Sequence, residues 1–331
     1  MADPAIVAEG LGKRFGDVIA LDGVDLELPA GGVLGVLGPI GAGKTTTVRI
    51  LATLVRPDRG SARVAGFDVT KRPEAVRARI GLSGQYAAVD PFLTGQENLA
   101  MIGRLYGLTR PAARQRAAGL IEQLGLTSAA SRPVRTYSGG MRRRLDVAAS
   151  LLAAPPVVFL DEPATGLDPR GRLALWQLLS ELTTAGTSLL LTTQYIEEAE
   201  RLAERIVIID HGKVIATGTP GQLGARAGGD RLELQSPPGQ DPHLLAGALA
   251  SLGTADPAVD EAGGRVVLPV ADGASVLAEV ASRVAAAGLH IAALALRRPT
   301  LEEAFLAYTG QQPSGPPAEP ARMAQDTRSA R

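Results

Sequence analysis

The fold of this chain is decided by the stretch Gly38-Pro39-Ile40-Gly41-Ala42-Gly43-Lys44-Thr45. It satisfies the pattern G-x-x-x-x-G-K-[ST], in which glycines let the backbone wrap a phosphate so that successive N–H groups face the anion. The apolar run Val33–Leu37 before it predicts a buried strand, and a helix is predicted to begin near Gly43. A glycine-rich turn with an incidental lysine is the alternative, but it does not account for this strand–loop–helix context.

The motif predicts how a nucleotide is held. The backbone from Gly38 to Thr46 is expected to contact the phosphates, and Lys44 to reach the β- and γ-phosphates. Thr45 is expected to offer its hydroxyl to Mg²⁺, which keeps several waters and needs few protein ligands. The sequence therefore predicts an ATP–Mg²⁺ site.

Short apolar runs bounded by turn residues recur along the chain and predict an α/β fold with a largely parallel sheet. They are Val33–Leu37, Val157–Leu160, Ser188–Leu191 and Arg205–Ile209. Leucines at helical spacing predict a helix over 173–182 that ends before Gly186. A stretch of about 86–153, rich in Ala, Arg, Leu and Gln, predicts an inserted helical subdomain.

Two carboxylates, Asp161 and Glu162, directly follow the apolar run Val157–Leu160. Ligands of open parallel sheets bind at the carboxyl ends of the strands, so this pair is expected to face the nucleotide. Asp161 would hold Mg²⁺, usually through water, and Glu162 would polarise the attacking water. The alternative is an acidic turn that caps the next helix.

A second candidate phosphate-binding sequence is Tyr137-Ser138-Gly139-Gly140-Met141-Arg142-Arg143. Ser138, Gly139 and Gly140 lead into a predicted helix whose N-terminal N–H groups attract phosphate, although a bare Ser-Gly-Gly turn is the alternative. This sequence resembles the signature of ABC ATPases, and Gly38–Thr45 resembles the P-loop of the same family. The resemblance to ABC ATPases spans residues 5–225. In that family the signature serine and glycines donate hydrogen bonds to the γ-phosphate bound on a partner subunit's P-loop.

The resemblance implies roles for three further residues. Phe15 occupies the position of an aromatic side chain that stacks on adenine, with a core phenylalanine as the alternative. Gln85 resembles the glutamine that contacts Mg²⁺ and passes the nucleotide state to the membrane subunit, with a surface glutamine as the alternative. Asp168, in Gly166-Leu167-Asp168, resembles the loop that lies across the dimer interface.

The sequence departs from the family pattern at the switch position, where Gln194 replaces the usual histidine. Glutamine can donate and accept hydrogen bonds, but it cannot titrate near neutral pH. We expect Gln194 to position the γ-phosphate and leave Glu162 as the sole candidate base.

The Thr-Thr-Gln-Tyr sequence around Gln194, with Tyr-Ser-Gly-Gly-Met, resembles the branch of daunorubicin- and doxorubicin-resistance ATP-binding subunits. Ile40 replaces the common P-loop asparagine, so a side-chain hydrogen bond across the dimer is expected to be missing.

The chain is predicted to contain two units and a tail. Residues 1–225 are expected to form an ABC-type P-loop domain, with a RecA-like parallel sheet core, an antiparallel β subdomain and the helical subdomain. The glycine-rich segment Gly224–Gly229 predicts a linker, and residues 226–310 a small α+β accessory domain. The segment from Arg298 to Phe305 supports the drug-resistance resemblance, or is an ordinary amphipathic helix. Residues 311–331 are predicted to form a disordered tail.

Composition restricts the class of protein. Among 331 residues, 34 Lys and Arg balance 34 Asp and Glu, which gives no signal for nucleic acid, and the chain has no cysteine for a disulfide or a zinc–thiolate site. No signal peptide is visible, and the uncharged run Val147–Leu160 is interrupted by Pro155-Pro156. It is also shorter than the ~20 residues that a spanning helix needs.

The resemblance therefore implies an ATP-hydrolysing subunit of a drug exporter, peripheral on the cytoplasmic side of the cell membrane. Its expected partners are a second copy of the chain and a separate integral membrane permease, and no nucleic acid is expected. An importer or a lipid or polysaccharide exporter is the alternative within transporters. A non-transport ABC ATPase acting on DNA or the ribosome, and a small-molecule P-loop kinase, are alternatives from other classes.

Overall fold

The structure is a computed structural model that describes residues 3–84, 89–228, 230–271, 273–297 and 300–310. Its strands are β1 (Ile6–Phe15), β2 (Val18–Leu28), β3 (Val33–Leu37), β4 (Arg59–Val64), β5 (Phe67–Asp68), β6 (Ile80–Ser83), β7 (Val157–Asp161), β8 (Ser188–Thr193), β9 (Arg205–Asp210), β10 (Lys213–Gly218), β11 (Asp230–Gln235), β12 (Ala258–Asp260), β13 (Arg265–Val270) and β14 (Ala293–Arg297). Its helices are α1 (Lys44–Leu51), α2 (Pro73–Arg77), α3 (Gly95–Leu105), α4 (Arg110–Gln123), α5 (Gly139–Leu151), α6 (Pro169–Thr184), α7 (Ile196–Leu202), α8 (Pro220–Gly228), α9 (Pro242–Leu249), α10 (Gly273–Ala286) and α11 (Leu301–Thr309).

The central element is a six-stranded sheet in the order β10-β9-β3-β8-β7-β6. Strands β9, β3, β8, β7 and β6 are parallel, and β10 pairs antiparallel with β9. All residues of β3, β7 and β8 are buried, as expected for parallel strands covered on both faces. The parallel arrangement brings the carboxyl ends of β3, β7 and β8 to one edge, where the P-loop, Glu162 and Gln194 follow.

Alternate residues of the central strands enter two different cores. Val158 and Leu160 pack with the helices α5, α6 and α7, whereas Val157 and Phe159 pack with α1 and the strands β1, β2 and β4. The latter strands form a four-stranded antiparallel sheet in the order β2-β1-β4-β5. This alternation follows from the two-residue period of a strand.

The segment between β6 and β7 is helical. Helix α3 begins with a capping box, in which Thr94 accepts from the N–H of Glu97 and the Glu97 carboxylate accepts from the N–H of Thr94. Helices α3, α4 and α5 pack on one another, and α5 also contacts β6 and β7. The boundary of about 86–153 stays a prediction, and residues 86–88 lie outside the described residues.

The prediction of a linker at Gly224–Gly229 is wrong for residues 224–228, which belong to α8. Two features outweigh the low helix propensity of glycine. Thr219 and Gln222 exchange hydrogen bonds at the start of the helix, and Leu223 is fully buried against α11. The packing of one leucine and a capped first turn therefore keep the chain helical where composition predicted a loop.

Residues 230–297 form a separate small layer. An antiparallel sheet, β12-β13-β11-β14, packs one face on α9 and α10 through an apolar cluster that contains Leu232, Leu268 and Val280. Helix α9 and strand β12 lie in a Pro- and Gly-rich region of the sequence.

Helix α11 packs on the core that contains Val158 and Leu160. Leu301, Ala304 and Phe305 are buried among residues of α7 and α8, and the N–H of Leu301 donates to Glu200 Oε1 at 3.2 Å. Thr300 and Glu303 form a capping box at its start. The division into residues 1–225 and 226–310 stays a prediction, and the predicted tail 311–331 lies outside the described residues. None of the helices in the described ranges has the length and apolar composition needed to cross a bilayer.

Candidate functional site

The P-loop connects β3 to α1 and requires glycine at two positions. A Cβ atom on Gly38 would lie 2.2 Å from the carbonyl oxygen of Ile209, and one on Gly43 would lie 2.6 Å from that of Ala20. Gly43 also has φ of 110°, a left-handed conformation that favours glycine. Both neighbours are backbone atoms that hold the loop in place, so a larger residue would displace the loop.

Lys44 lies inside this loop. Its ammonium donates to the carbonyl oxygens of Gly38 at 2.7 Å and Pro39 at 3.0 Å, and its side chain is 5% exposed. Burial lowers the pKa of Lys44, whereas the nearby carboxylates of Glu162 and Asp161 oppose that shift. The two carboxylates thus favour the charged form of the lysine, which is the form that binds phosphate.

Asp161 ends β7 and forms the buried polar centre of the site. Its Oδ1 accepts hydrogen bonds from Thr192 Oγ1 at 2.5 Å and from Thr45 Oγ1 at 3.3 Å. The predicted neighbours Thr45 and Asp161 are therefore together, and both supply the hard oxygen atoms that Mg²⁺ prefers. The alternative of a helix-capping acidic pair is wrong, because Asp168 caps α6 by accepting from the N–H of Gly171.

Glu162 has φ of 54°, which is uncommon for a residue other than glycine. Its N–H donates to the carbonyl oxygen of Thr192 at 3.0 Å and to Thr192 Oγ1 at 3.1 Å. Its carboxylate lies 3.8 Å from the ammonium of Lys44 and accepts from Gln194 Nε2 at 3.2 Å. The candidate base, the phosphate-binding lysine and the switch glutamine thus form one contiguous group.

A cavity of about 310 Å³ lies over this group. It is lined by residues 40–46 of the P-loop, by Glu162 and Gln194, and by Val18, Ile19 and Ala20 of β2. Phe15 is 47% exposed at the end of β1, with the Lys13 ammonium 5.4 Å from its ring centroid, so the alternative of a core phenylalanine is wrong. The sequence missed Val18 and Ile19, which are also exposed beside the P-loop and add an apolar wall.

The signature residues begin α5. Ser138 is the N-cap, and its Oγ accepts from the N–H of Met141 at 3.2 Å. Tyr137 is buried, donates to the carbonyl oxygen of Ala129 at 2.7 Å and leaves no room for a side chain on Gly95. Tyr137 thus anchors the loop to the helical layer while Gly139 and Gly140 open the helix. Within the chain the signature residues are not part of the cavity lining, and Gln85 lies outside the described residues.

The roles of three polar residues near the site were not predicted from the sequence. Thr192 donates to Asp161, Arg143 contacts the backbone on both sides of Glu162, and Glu198 is fully buried on α7, the helix that follows Gln194. The hydroxyl that directly follows the three leucines of β8 was an available signal for Thr192. Arg143 is the middle of three consecutive arginines, and only the register of α5 distinguishes it from its neighbours.

Comparison with known proteins gives the family. The model of the ABC transporter family matches residues 21–165. A daunorubicin resistance ATP-binding protein of Streptomyces coeruleorubidus is 51% identical over 93% of this chain and 96% of its own length. The chain belongs to the daunorubicin- and doxorubicin-resistance ATP-binding proteins of the ABC transporter family.

Two further comparisons agree with this membership. A doxorubicin resistance ATP-binding protein of Mycobacterium tuberculosis is 48% identical, with 93% of this chain and 94% of the relative covered. The solved structure of an ATP-binding subunit of an ABC transporter matches with a TM-score of 0.62 and 27% identity, covering 67% of this chain and 92% of that one. This ABC ATP-binding subunit is therefore an ATPase with the predicted α/β P-loop fold, and ATP is its ligand.

Proposed function

We propose that this ABC subunit powers the export of a drug or antibiotic through a separate membrane permease, to which it attaches on the cytoplasmic side of the cell membrane. Two relatives that cover nearly all of the chain are named for resistance to daunorubicin or doxorubicin.

The catalytic part of the proposal rests on one observation: Lys44, Glu162 and Gln194 meet at one end of the sheet. The Glu162 carboxylate lies 3.8 Å from the Lys44 ammonium and 3.2 Å from Gln194 Nε2. Phosphoryl transfer asks the protein mainly for positioning and for charge stabilisation. In the proposal, the P-loop amides and Lys44 hold the β- and γ-phosphates. Glu162 accepts a hydrogen bond from the attacking water, and Gln194 fixes the orientation of both the carboxylate and the γ-phosphate.

The donor set at Thr45 and Asp161 fits Mg²⁺, which these residues would hold and which would neutralise the charge that develops during phosphoryl transfer. Both residues present hydroxyl or carboxylate oxygen within 3.3 Å of each other. The described part of the chain contains no cluster of three or more His, Asp or Glu residues that would form an all-protein metal cage. A site with few protein ligands is the kind that Mg²⁺ uses together with nucleotide. Gln85 is proposed as the third ligand.

We further propose that two copies of the chain enclose the nucleotide. Ser138, Gly139 and Gly140 lie at the N-terminus of α5, outside the cavity formed by their own P-loop. A second copy related by two-fold symmetry would bring these N–H groups and the Ser138 hydroxyl to the γ-phosphate. Asp168 would then lie at the interface, and Phe15, with Val18 and Ile19, would contact the adenine.

The variant Glu162→Gln tests the catalytic proposal. The amide keeps the size of the side chain but cannot accept a proton, so ATP turnover should be lost while ATP binding persists. Hydrolysis is followed by phosphate release, and binding by equilibrium dialysis with radiolabelled ATP. Turnover at the wild-type rate in Glu162→Gln would refute the assigned role.

The transport proposal is tested by purification from membranes. The tagged chain should recover an integral membrane permease, and candidate drugs should stimulate ATP hydrolysis by the recovered complex. Recovery of ribosomes or DNA alone would contradict export.

A further inference from the structure

Arg143 is one turn beyond the signature residues on α5, yet its guanidinium lies among the loops that follow β6 and β7. It donates to the carbonyl oxygens of Gly84 and Asp161 in close contacts, and to that of Pro163 at 3.4 Å. The side chain is only 13% exposed. A charged group in this position is held by backbone acceptors from two separate loops.

The two carbonyls at Asp161 and Pro163 flank Glu162. This residue has a left-handed backbone, with φ of 54°, a conformation that persists only when the surroundings hold it. On one side its N–H is held by Thr192, and on the other the guanidinium of Arg143 binds the neighbouring carbonyls. The direction of the Glu162 carboxylate toward Gln194 therefore depends on both restraints.

The position of Arg143 is itself fixed by a buried polar group. Asp146, one turn later on α5, lies 3.7 Å from the guanidinium and accepts from Ser83 Oγ at 2.6 Å. Ser83 ends β6, and Gly84 follows it immediately before Gln85. The first turns of α5 are thus tied to the loops after both β6 and β7.

We propose that Arg143 is a positioning residue that holds Glu162 in its working orientation and ties it to the signature helix. The inference rests on the proposed role of Glu162 as the group that orients the attacking water. Ser138 and Arg143 are five residues apart on one helix, a rise of about 8 Å, so a displacement of the signature end also moves the guanidinium. When the signature contacts nucleotide on a second copy, a displacement of α5 would in this way be transmitted to Glu162 of the chain that carries the signature.

Only arginine suits this position. Its planar guanidinium has five donors in a fixed fork and can serve three carbonyls and a carboxylate at once, whereas the lysine ammonium is compact and strongly hydrated. Arg143→Lys should therefore lose most of the positioning, and Arg143→Ala all of it. The P-loop contacts of ATP do not involve Arg143 and should persist in both variants.

The test compares turnover with binding in the full chain. We expect Arg143→Ala and Arg143→Lys to lower kcat about 10- to 100-fold, the size of effect that follows a misplacement of about 1 Å in a catalytic group. The Kd for Mg–ATP, measured by equilibrium dialysis, should change less than about twofold, because Arg143 does not contact the P-loop. Loss of a residue that bound the ground state and the transition state equally would instead raise Kd. Arg143→Lys keeps the experiment informative if Arg143→Ala does not fold.

Arg114→Ala is the matched control, since Arg114 is an exposed arginine of the same helical layer. Its kcat should match the wild type. A folded Arg143→Lys that turns over within about twofold of the wild type, or an equal loss of kcat in Arg114→Ala, would overturn the inference. If Glu162→Gln also hydrolyses ATP at the wild-type rate, the proposed catalytic role fails; if it is inactive while Arg143→Lys is active, only the role of Arg143 fails.

Discussion

Glu198 on α7 should make the stability of this subunit depend on pH. It is fully buried, Oε1 accepts from Trp176 Nε1 at 3.2 Å, and Oε2 has no hydrogen-bond partner among the described residues. Burial raises the pKa of Glu198 from 4.5 to about 7, although the Thr193 hydroxyl, Trp176 and the charge of Arg143 oppose the shift. The folded state therefore favours the neutral carboxylic acid.

The sign of the effect follows from proton binding. Between pH 4.5 and about 7 the folded chain holds a proton on Glu198 that the unfolded chain has released. The free energy of unfolding consequently falls as pH rises through this window, by about 3 kcal/mol in total. Below the window the contribution is fully present, and above it the folded state must accommodate a buried carboxylate.

Glu198→Gln removes this titration and keeps the acceptor for Trp176. The stability of Glu198→Gln relative to the wild type should rise by about 2–3 kcal/mol between about pH 5 and about pH 8. Urea unfolding of both proteins, followed by circular dichroism at several pH values, measures the difference. Glu197→Gln is the control, because Glu197 is exposed on the same helix. A constant difference between Glu198→Gln and the wild type across this range would refute the reasoning.

Two other substitutions test separate parts of the account. Gln194→His should remain active, because an imidazole N–H can replace the amide that donates to Glu162 at 3.2 Å. The titration of the imidazole should add a change in the ATPase rate near the histidine pKa of about 6.5 to the pH profile of the wild type. Gln194→Ala should be strongly impaired in the same phosphate-release assay, and wild-type activity in it would contradict the positioning role. Phe305→Ala should lower the free energy of unfolding by about 3 kcal/mol, because Phe305 is 2% exposed in the core shared by α7, α8 and α11. An unchanged urea midpoint would show that α11 does not stabilise that core.

The nucleotide site was largely predictable because its elements are local in sequence. The P-loop carries its own strand, loop and helix signals, and the Asp161–Glu162 pair follows a wholly apolar strand. Parallel strands then bring these separate segments to one edge without further information. The family resemblance added the signature sequence, and the departure at Gln194 was visible as a single residue.

The remaining features depend on tertiary packing, which local sequence does not encode. Helix α8 was mistaken for a linker because its glycines outweighed Leu223, whose burial is provided by α11, some eighty residues later. The role of Arg143 could not be predicted from its run of three arginines, because its hydrogen-bond acceptors are backbone carbonyls of loops that are distant in the sequence. The burial of Glu198 likewise depends on Trp176 from the preceding helix.

In the proposed dimer each ATP lies between the P-loop of one copy and the signature of another, and heterodimers of two inactive variants test this arrangement most directly. Lys44→Ala disables the P-loop, and Ser138→Arg blocks the signature, so each homodimer should be inactive. A heterodimer isolated through two different tags would contain one site with an intact P-loop and an intact signature. It should hydrolyse ATP at about half the wild-type rate per dimer. A purified heterodimer that is no more active than either homodimer would contradict the shared site.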